Sequence, residues 1–187
     1  MENFINGHEY VDLGLGVKWA RCNVGAQIPE EYGDYFAWGE IEPKRLFNEE
    51  TSETYKKVIE DISGTSRDVA RVKWGAPWRM PTKEEFYSLR FKCDLEWIEE
   101  YVGGIRVTGR TGYSIFLPAA GMREWGLLKD MGPNGAYRGH YWLSSPFDEN
   151  DAAERAYSME FYKKNSSLWC GIEERCYGFQ VRPVLDL

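Results

Sequence analysis

Apolar residues in this chain recur with a spacing of two over several short stretches and with a helical spacing over only two. In AYSMEFY, Tyr157, Met159 and Phe161 alternate with Ser158, Glu160 and Tyr162, and in YGFQVRP, Tyr177, Phe179 and Val181 alternate with Gly178, Gln180 and Arg182. Both patterns predict half-buried strands with one face in and one out. GHYWLSS and SSLWCG read as further short strands, and GIRVTGRTGYSIFLPAAG as a hairpin: IRV, a turn from Gly109 to Gly112, then SIFL stopped by Pro118. Near the start, EYVDLGLGVKWARCNVGA is rich in strand formers and punctuated by Gly14, Gly16 and Gly25, which predicts two short strands.

Helical spacing is clearest in RMPTKEEFYSLRFKC, where Thr82 and Glu85 form a capping box and Phe86, Leu89 and Cys93 share a face. A second amphipathic helix is expected in NEETSETYKKVIEDISG, with Tyr55, Val58, Ile59 and Ile62 on one side, Ser52 as N-cap and Gly64 past the end. Two helices among many short strands, with no repeat or linker, predict one α+β domain over residues 1–187, with unusually long loops in its C-terminal third. Long loops in a folded domain tend to carry function.

Composition adds a recognition bias. The 187 residues suffice for a core, and 8 Trp, 12 Tyr and 9 Phe make 16% of the chain aromatic, the residue class that fills loop-rich cores and dominates binding surfaces. A net charge of -7, with no basic run longer than Lys56-Lys57 or Lys163-Lys164, argues against nucleic acid and anionic membrane surfaces. MENFINGHEY has neither an apolar segment nor a basic leader, so no signal peptide, lipid anchor or membrane insertion is expected.

The chain lacks a phosphate loop, H-E-x-x-H, G-x-S-x-G and a dinucleotide fingerprint, and GLGVKW is better read as a turn. Its two histidines offer little to a nucleophile system: His8 falls in the terminal segment, and His140 stands before a strand as a turn or surface residue. Asp148, Glu149, Asp151 and Glu154 crowd into PFDENDAAE, but alanine occupies the fifth position of any calcium loop, and a solvated acidic loop is expected. Cys22 and Cys93 stand apart, whereas Cys170 and Cys176 are close enough to tie a loop, bind a soft metal or stand as independent side chains. No cofactor and no metal site is assigned.

Several blocks taken together resemble one family. INGHEYVDLGLGVKWARCNVGA, EEYGDYFAWGE, VKWGAPWRMPTKEEF, SIFLPAAGMR, YWLSS and CYGFQVRPV, in this order from about Gly7 to Val184, resemble the Fibrobacter major paralogous domain, abundant in gut Bacteroidetes and commonly exported. WRMPTKEEF and GFQVRP are also similar to the R-L-P-T-E-A-E-W and G-F-R blocks of formylglycine-generating enzymes. The resemblance implies a C-type-lectin-like fold, with two helices and small twisted antiparallel sheets presenting long loops. GLGVKWA is shorter than the family's D-L-G-L-P-S-G block. The spacing of Cys170 and Cys176 differs from the copper-binding pair of formylglycine-generating enzymes, and E-P-N, Q-P-D and W-N-D sugar motifs are absent, so neither function is carried over.

A non-catalytic module recognising a protein or a glycan is therefore expected. Its binding face would be drawn from Phe147, Asp148, Asn150, Tyr162, Trp169, Glu173 and Arg175, a mixture of aromatic and charged anchors on C-terminal loops. Retroelement-diversified receptors and adhesins share this architecture. The alternatives are an oxidase using Cys170 and Cys176, or a structural head on a surface or phage-tail assembly.

Overall fold

The computed structural model describes residues 3–100, 102–131, 137–150, 152–163 and 166–186, so Asp151 and Lys164 lie outside the described residues. It is a mixed α+β structure with two α-helices and several small antiparallel sheets.

The first sheet gathers both ends of the chain. Asn6-Gly7, both with positive φ, turn β1 (Phe4–Ile5) into β2 (His8–Val11), and β2 pairs with β3 (Lys18–Ala20). After a 3-10 turn at Glu49–Thr51 come α1 (Val69–Trp74), β4 (Trp78–Arg79) and α2 (Lys83–Lys92). The helix expected over residues 52–64 does not form: Val58 is 94% exposed, and the segment runs as turns and extended chain. Ser52 Oγ accepts from the backbone of Thr54 and Tyr55, and Thr54 Oγ1 donates to Trp38 O at 2.6 Å. Such side-chain bonds to backbone compete with a helix too short to be stable by itself.

At α2 the capping box is present. Thr82 Oγ1 accepts from the Glu85 backbone, Glu85 Oε2 accepts from Thr82 N at 2.9 Å, and Phe86 and Leu89 are buried. Cys93 ends the helix half-buried. Arg79 then grips Glu85 and Asp186, fastening α2 to the end of the chain.

β5 (Asp94–Ile98), β6 (Gly104–Thr108) and β7 (Ser114–Pro118) form a meander that contains the expected hairpin, and β8 (Met122–Glu124) with β9 (Leu127–Lys129) form a small separate hairpin. β10 (Arg138–Pro146), β11 (Arg155–Tyr162) and β12 (Trp169–Glu174) make the C-terminal sheet. β13 (Val184–Leu185) closes the first sheet between β3 and β4.

β11 is not half-buried as its alternation predicts, because the sheet lies between two apolar clusters. Tyr141, Leu143, Met159 and Phe161 pack with Phe86, Leu89, Ile105 and Leu117, while Trp142 and Ala156 pack with Trp38, Trp78 and Phe179. The polar alternates Ser158 and Glu160 are consequently interior. YGFQVRP is likewise buried on both faces beyond Tyr177, and Arg182 within it is fully enclosed. Its guanidinium donates to Asn23 Oδ1 and to the carbonyls of Ala20, Arg21 and Phe116 at 2.8–3.1 Å. Among the described residues no helix is long and apolar enough to cross a membrane.

Candidate functional site

Pairing in the C-terminal sheet sets which polar side chains meet. His140 lies opposite Glu160, Glu160 opposite Trp169, Ser158 opposite Gly171 and Ala156 opposite Glu173. Directly opposed residues share a face, so His140, Ser158, Glu160, Trp169 and Glu173 project to one side, together with Arg138 and Tyr162, another opposed pair. That side is sealed at β10 by Phe179, whose ring is 4.2 Å from Trp142 and 5.0 Å from His140, and opens toward β12.

The Glu160 carboxylate is the hub of this face. Oε1 accepts from Ser158 Oγ at 2.7 Å, Oε2 accepts from Trp169 Nε1 at 3.2 Å, and His140 Nδ1 stands 3.8 Å from Oε1. The other His140 nitrogen, Nε2, is 2.9 Å from Asp130 Oδ2. Gly171 makes room for this arrangement: a Cβ there would lie 1.8 Å from Glu160 Oε1. Burial opposes charge on His140, but the hydrogen bond to Asp130 and the charges of Asp130 and Glu160 outweigh it, raising the imidazole pKa to about 9. Burial also opposes ionisation of Glu160, yet the adjacent His140 charge, and then the bonds from Ser158 and Trp169, hold its carboxyl below the ordinary value. Glu173 makes no ion pair among the described residues, and the more distant His140 and Arg155 charges only partly offset its burial. Burial first, and then the neighbouring Glu160 charge, push it up to about 7.

Above this ionic floor lies an aromatic pair. Tyr162 and Trp169 meet edge to face with centroids 4.8 Å apart, and the exposed Arg138 guanidinium sits 5.7 Å from the Tyr162 ring. A half-exposed Tyr–Trp pair, a guanidinium and a protonatable carboxyl on a rigid sheet combine apolar contact area with hydrogen-bond donors and acceptors.

The seven residues expected to bind together separate into groups. Tyr162, Trp169 and Glu173 converge on the face just described. Phe147 and Asp148 are on the opposite side, where Phe147 packs edge-on against Tyr157, Asp148 accepts from Tyr157 Oη at 2.7 Å and Lys83 sits 4.0 Å over the Tyr157 ring. Asn150 is exposed in the turn between β10 and β11. Arg175 is no surface anchor: it is 1% exposed, lies over the Trp38 ring at 4.2 Å and donates to the carbonyls of Arg155, Lys57 and Ala152 at 2.7–3.1 Å. It clamps the Lys57 segment to the chain entering β11.

The other sequence candidates also move. His8 stacks on Trp74 at 3.7 Å, and His140 is a buried strand residue rather than a turn or surface one. Asp148 faces Tyr157 and Lys83, whereas Glu154 faces Lys56, so the acids of that segment point to different partners. All four cysteines are free. Cys170 packs against the main core beside Tyr87, and Cys176 is buried with its Sγ 3.7 Å from Glu174 Oε2, so of the alternatives the pair stands as independent thiols, packed inward and not tied to each other. Burial raises all four thiols, Cys176 to about 12, the opposite of activation. Among the described residues no three His, Cys, Asp or Glu side chains converge to hold a metal ion.

Sequence reasoning missed Arg138, Asp130, His140 and Glu160. The alternation in AYSMEFY does place Ser158, Glu160 and Tyr162 on one face, but the register that sets His140 and Trp169 against Glu160 is not written in either strand. Comparison with protein-family models, curated proteins and solved structures gives no match to this chain.

Proposed function

We propose that this protein is a non-catalytic recognition module of the C-type-lectin-like kind, related to the Fibrobacter major paralogous domain, and that it binds a protein or glycan ligand on the open face of its C-terminal sheet. The observation that carries this reading is the convergence of Tyr162, Trp169 and Glu173 with Arg138 over a buried, charge-matched floor. Exposed aromatics held in register by strands lose little freedom on binding, which favours affinity over a loop-borne site. The thiols, raised by burial, give the oxidase alternative no support.

The test is a side-by-side screen of the wild-type protein and a Tyr162→Ala/Glu173→Gln variant on a glycan array and a displayed-peptide library. Ligands captured by the wild type are expected to bind the variant at least about tenfold more weakly while its melting temperature is not lowered. Equal capture by a folded variant would place recognition elsewhere.

A further inference from the structure

The β8–β9 hairpin has features that the C-terminal face leaves unexplained. Its two turn residues, Trp125 and Gly126, have φ of 50° and 77°. Two positive φ values define the type I′ turn preferred by two-residue hairpins, normally begun by asparagine, aspartate or glycine. A bulky side chain in the left-handed region costs about 1–2 kcal/mol. Trp125 is nonetheless 58% exposed, in company with exposed Leu46, Leu127 and Leu128, so core packing does not compensate for the strain. Strained residues persist where function requires them.

The register identifies an open strand edge. Glu124 opposite Leu127 closes the two-residue turn and is therefore a hydrogen-bonded pair, which makes Arg123 opposite Leu128 a non-hydrogen-bonded one. In agreement, Arg123 N and O are bonded to Gly178 at 2.9 and 2.8 Å, away from β9. The N–H and C=O of Leu128 accordingly point outward, and no main-chain group among the described residues meets them. Natural sheets usually guard such an edge with lysine, proline or a bulge. Here Lys129 is held by Glu124, and the remaining two residues of β9 are leucines.

Charge next to the edge is positive. Arg123 shares the Leu128 face, lies 5.0 Å over the Tyr35 ring and, with exposed Arg45, lines an open cleft of about 490 Å³ that reaches Gly126. The nearby lysines are paired, Lys44 with Glu40 and Lys129 with Glu124, whereas Arg45 and Arg123 form no ion pair among the described residues. Asp34 also borders the cleft, but its carboxylate leans over Gly25. Two guanidinium groups thus line one open cleft with no carboxylate bound to either among the described residues.

We propose that β9 is a docking edge for an extended acidic segment of a partner protein. The segment adds as a strand beside Leu128, rests an apolar side chain on Trp125 and Leu128, and sets carboxylates against Arg45 and Arg123. Main-chain bonds give such strand addition its affinity, and side-chain pockets its selectivity. A second copy of the chain fits less well, because pairing β9 with β9 supplies two leucines and a lysine already held by Glu124 and no free carboxylate to meet Arg45 and Arg123.

The probe is a fluorescein-labelled peptide of alternating valine and glutamate, compared by polarisation with a lysine-for-glutamate version and a fully N-methylated version. The glutamate peptide is expected to bind, more weakly as salt rises, and the two controls are not. Arg45→Gln/Arg123→Gln should weaken binding by about tenfold or more. Leu128→Pro, which removes the outward N–H together with the leucine contact, should do the same; if that variant melts early, the arginine pair decides. The proposal is overturned if the glutamate peptide fails to bind at millimolar concentration, if the folded arginine variant or the lysine peptide binds equally well, or if sedimentation reveals a dimer that Leu128→Pro abolishes.

Discussion

Glu173 and His140 show what interior placement does to single residues. Glu173 has its folded pKa raised from 4.5 to about 7, so the native state holds a proton that the unfolded chain releases. His140, raised from 6.5 to about 9, does the same at higher pH. A proton held only by the folded state means that stability falls as pH rises, first through the Glu173 window and then through that of His140. Asp130 and Glu160, both lowered, act in the opposite sense, and their contribution is lost as pH falls below the ordinary carboxyl range. Thermal stability is therefore expected to peak near about pH 5 and decline toward about pH 9. Glu173→Gln should flatten the decline between about pH 5 and 7 and raise stability at about pH 8 by at least about 1 kcal/mol. A variant whose melting temperature tracks the wild type across that range would show that Glu173 is ionised in the fold. Arg182 and Arg175 make a related point, since each surrounds its guanidinium with backbone carbonyls rather than carboxylates. Arg182→Met leaves three carbonyls and Asn23 without a donor and is expected to destabilise by about 3 kcal/mol or more in urea unfolding. Nothing in the local sequence distinguishes such an arginine from a surface anchor, which is why Arg175 reads as a ligand contact until its partners are seen.

At the scale of elements, legibility follows the range of the interactions. The capping box of α2 and the β6–β7 hairpin are local, and both stand where the sequence places them. The spacing of Tyr55, Val58, Ile59 and Ile62 is equally suggestive, yet distant contacts win: Ile62 N bonds to Ser144 O and Thr54 to Trp38 O. The short α1 goes unread because its N-cap, Asp68, is fixed by bonds from Gly64 before the helix and Met80 beyond it as well as by Arg71 N. The turn of β8–β9 allows a direct test of strain. Trp125→Asn should raise stability by about 1 kcal/mol, because asparagine tolerates the left-handed region. A loss of stability would mean that the indole packs usefully in spite of its exposure.

Across the whole molecule, the C-terminal sheet is a partition between two apolar clusters, and the last strand returns to pair with the first sheet. Alternation alone predicts a sheet with one wet face. Enclosure by both clusters makes most of that face dry, and among the described residues it stays open toward β12 and at its Arg138–Tyr162 end, where Tyr162, Trp169 and Glu173 lie. The sequence offers these three of the seven expected residues as aromatic or charged side chains close along the chain, but their common face is a product of register. The most direct measurement is a 15N-correlated NMR titration with a ligand recovered from the array, following the indole signals of all 8 Trp. The expected result is displacement of the Trp169 indole and of β11 and β12 amides, while Trp19, Trp38 and Trp78 in the core stay fixed. Shifts confined to the Phe147–Asn150 turn or to other surfaces, with Trp169 unmoved, would contradict recognition on this face.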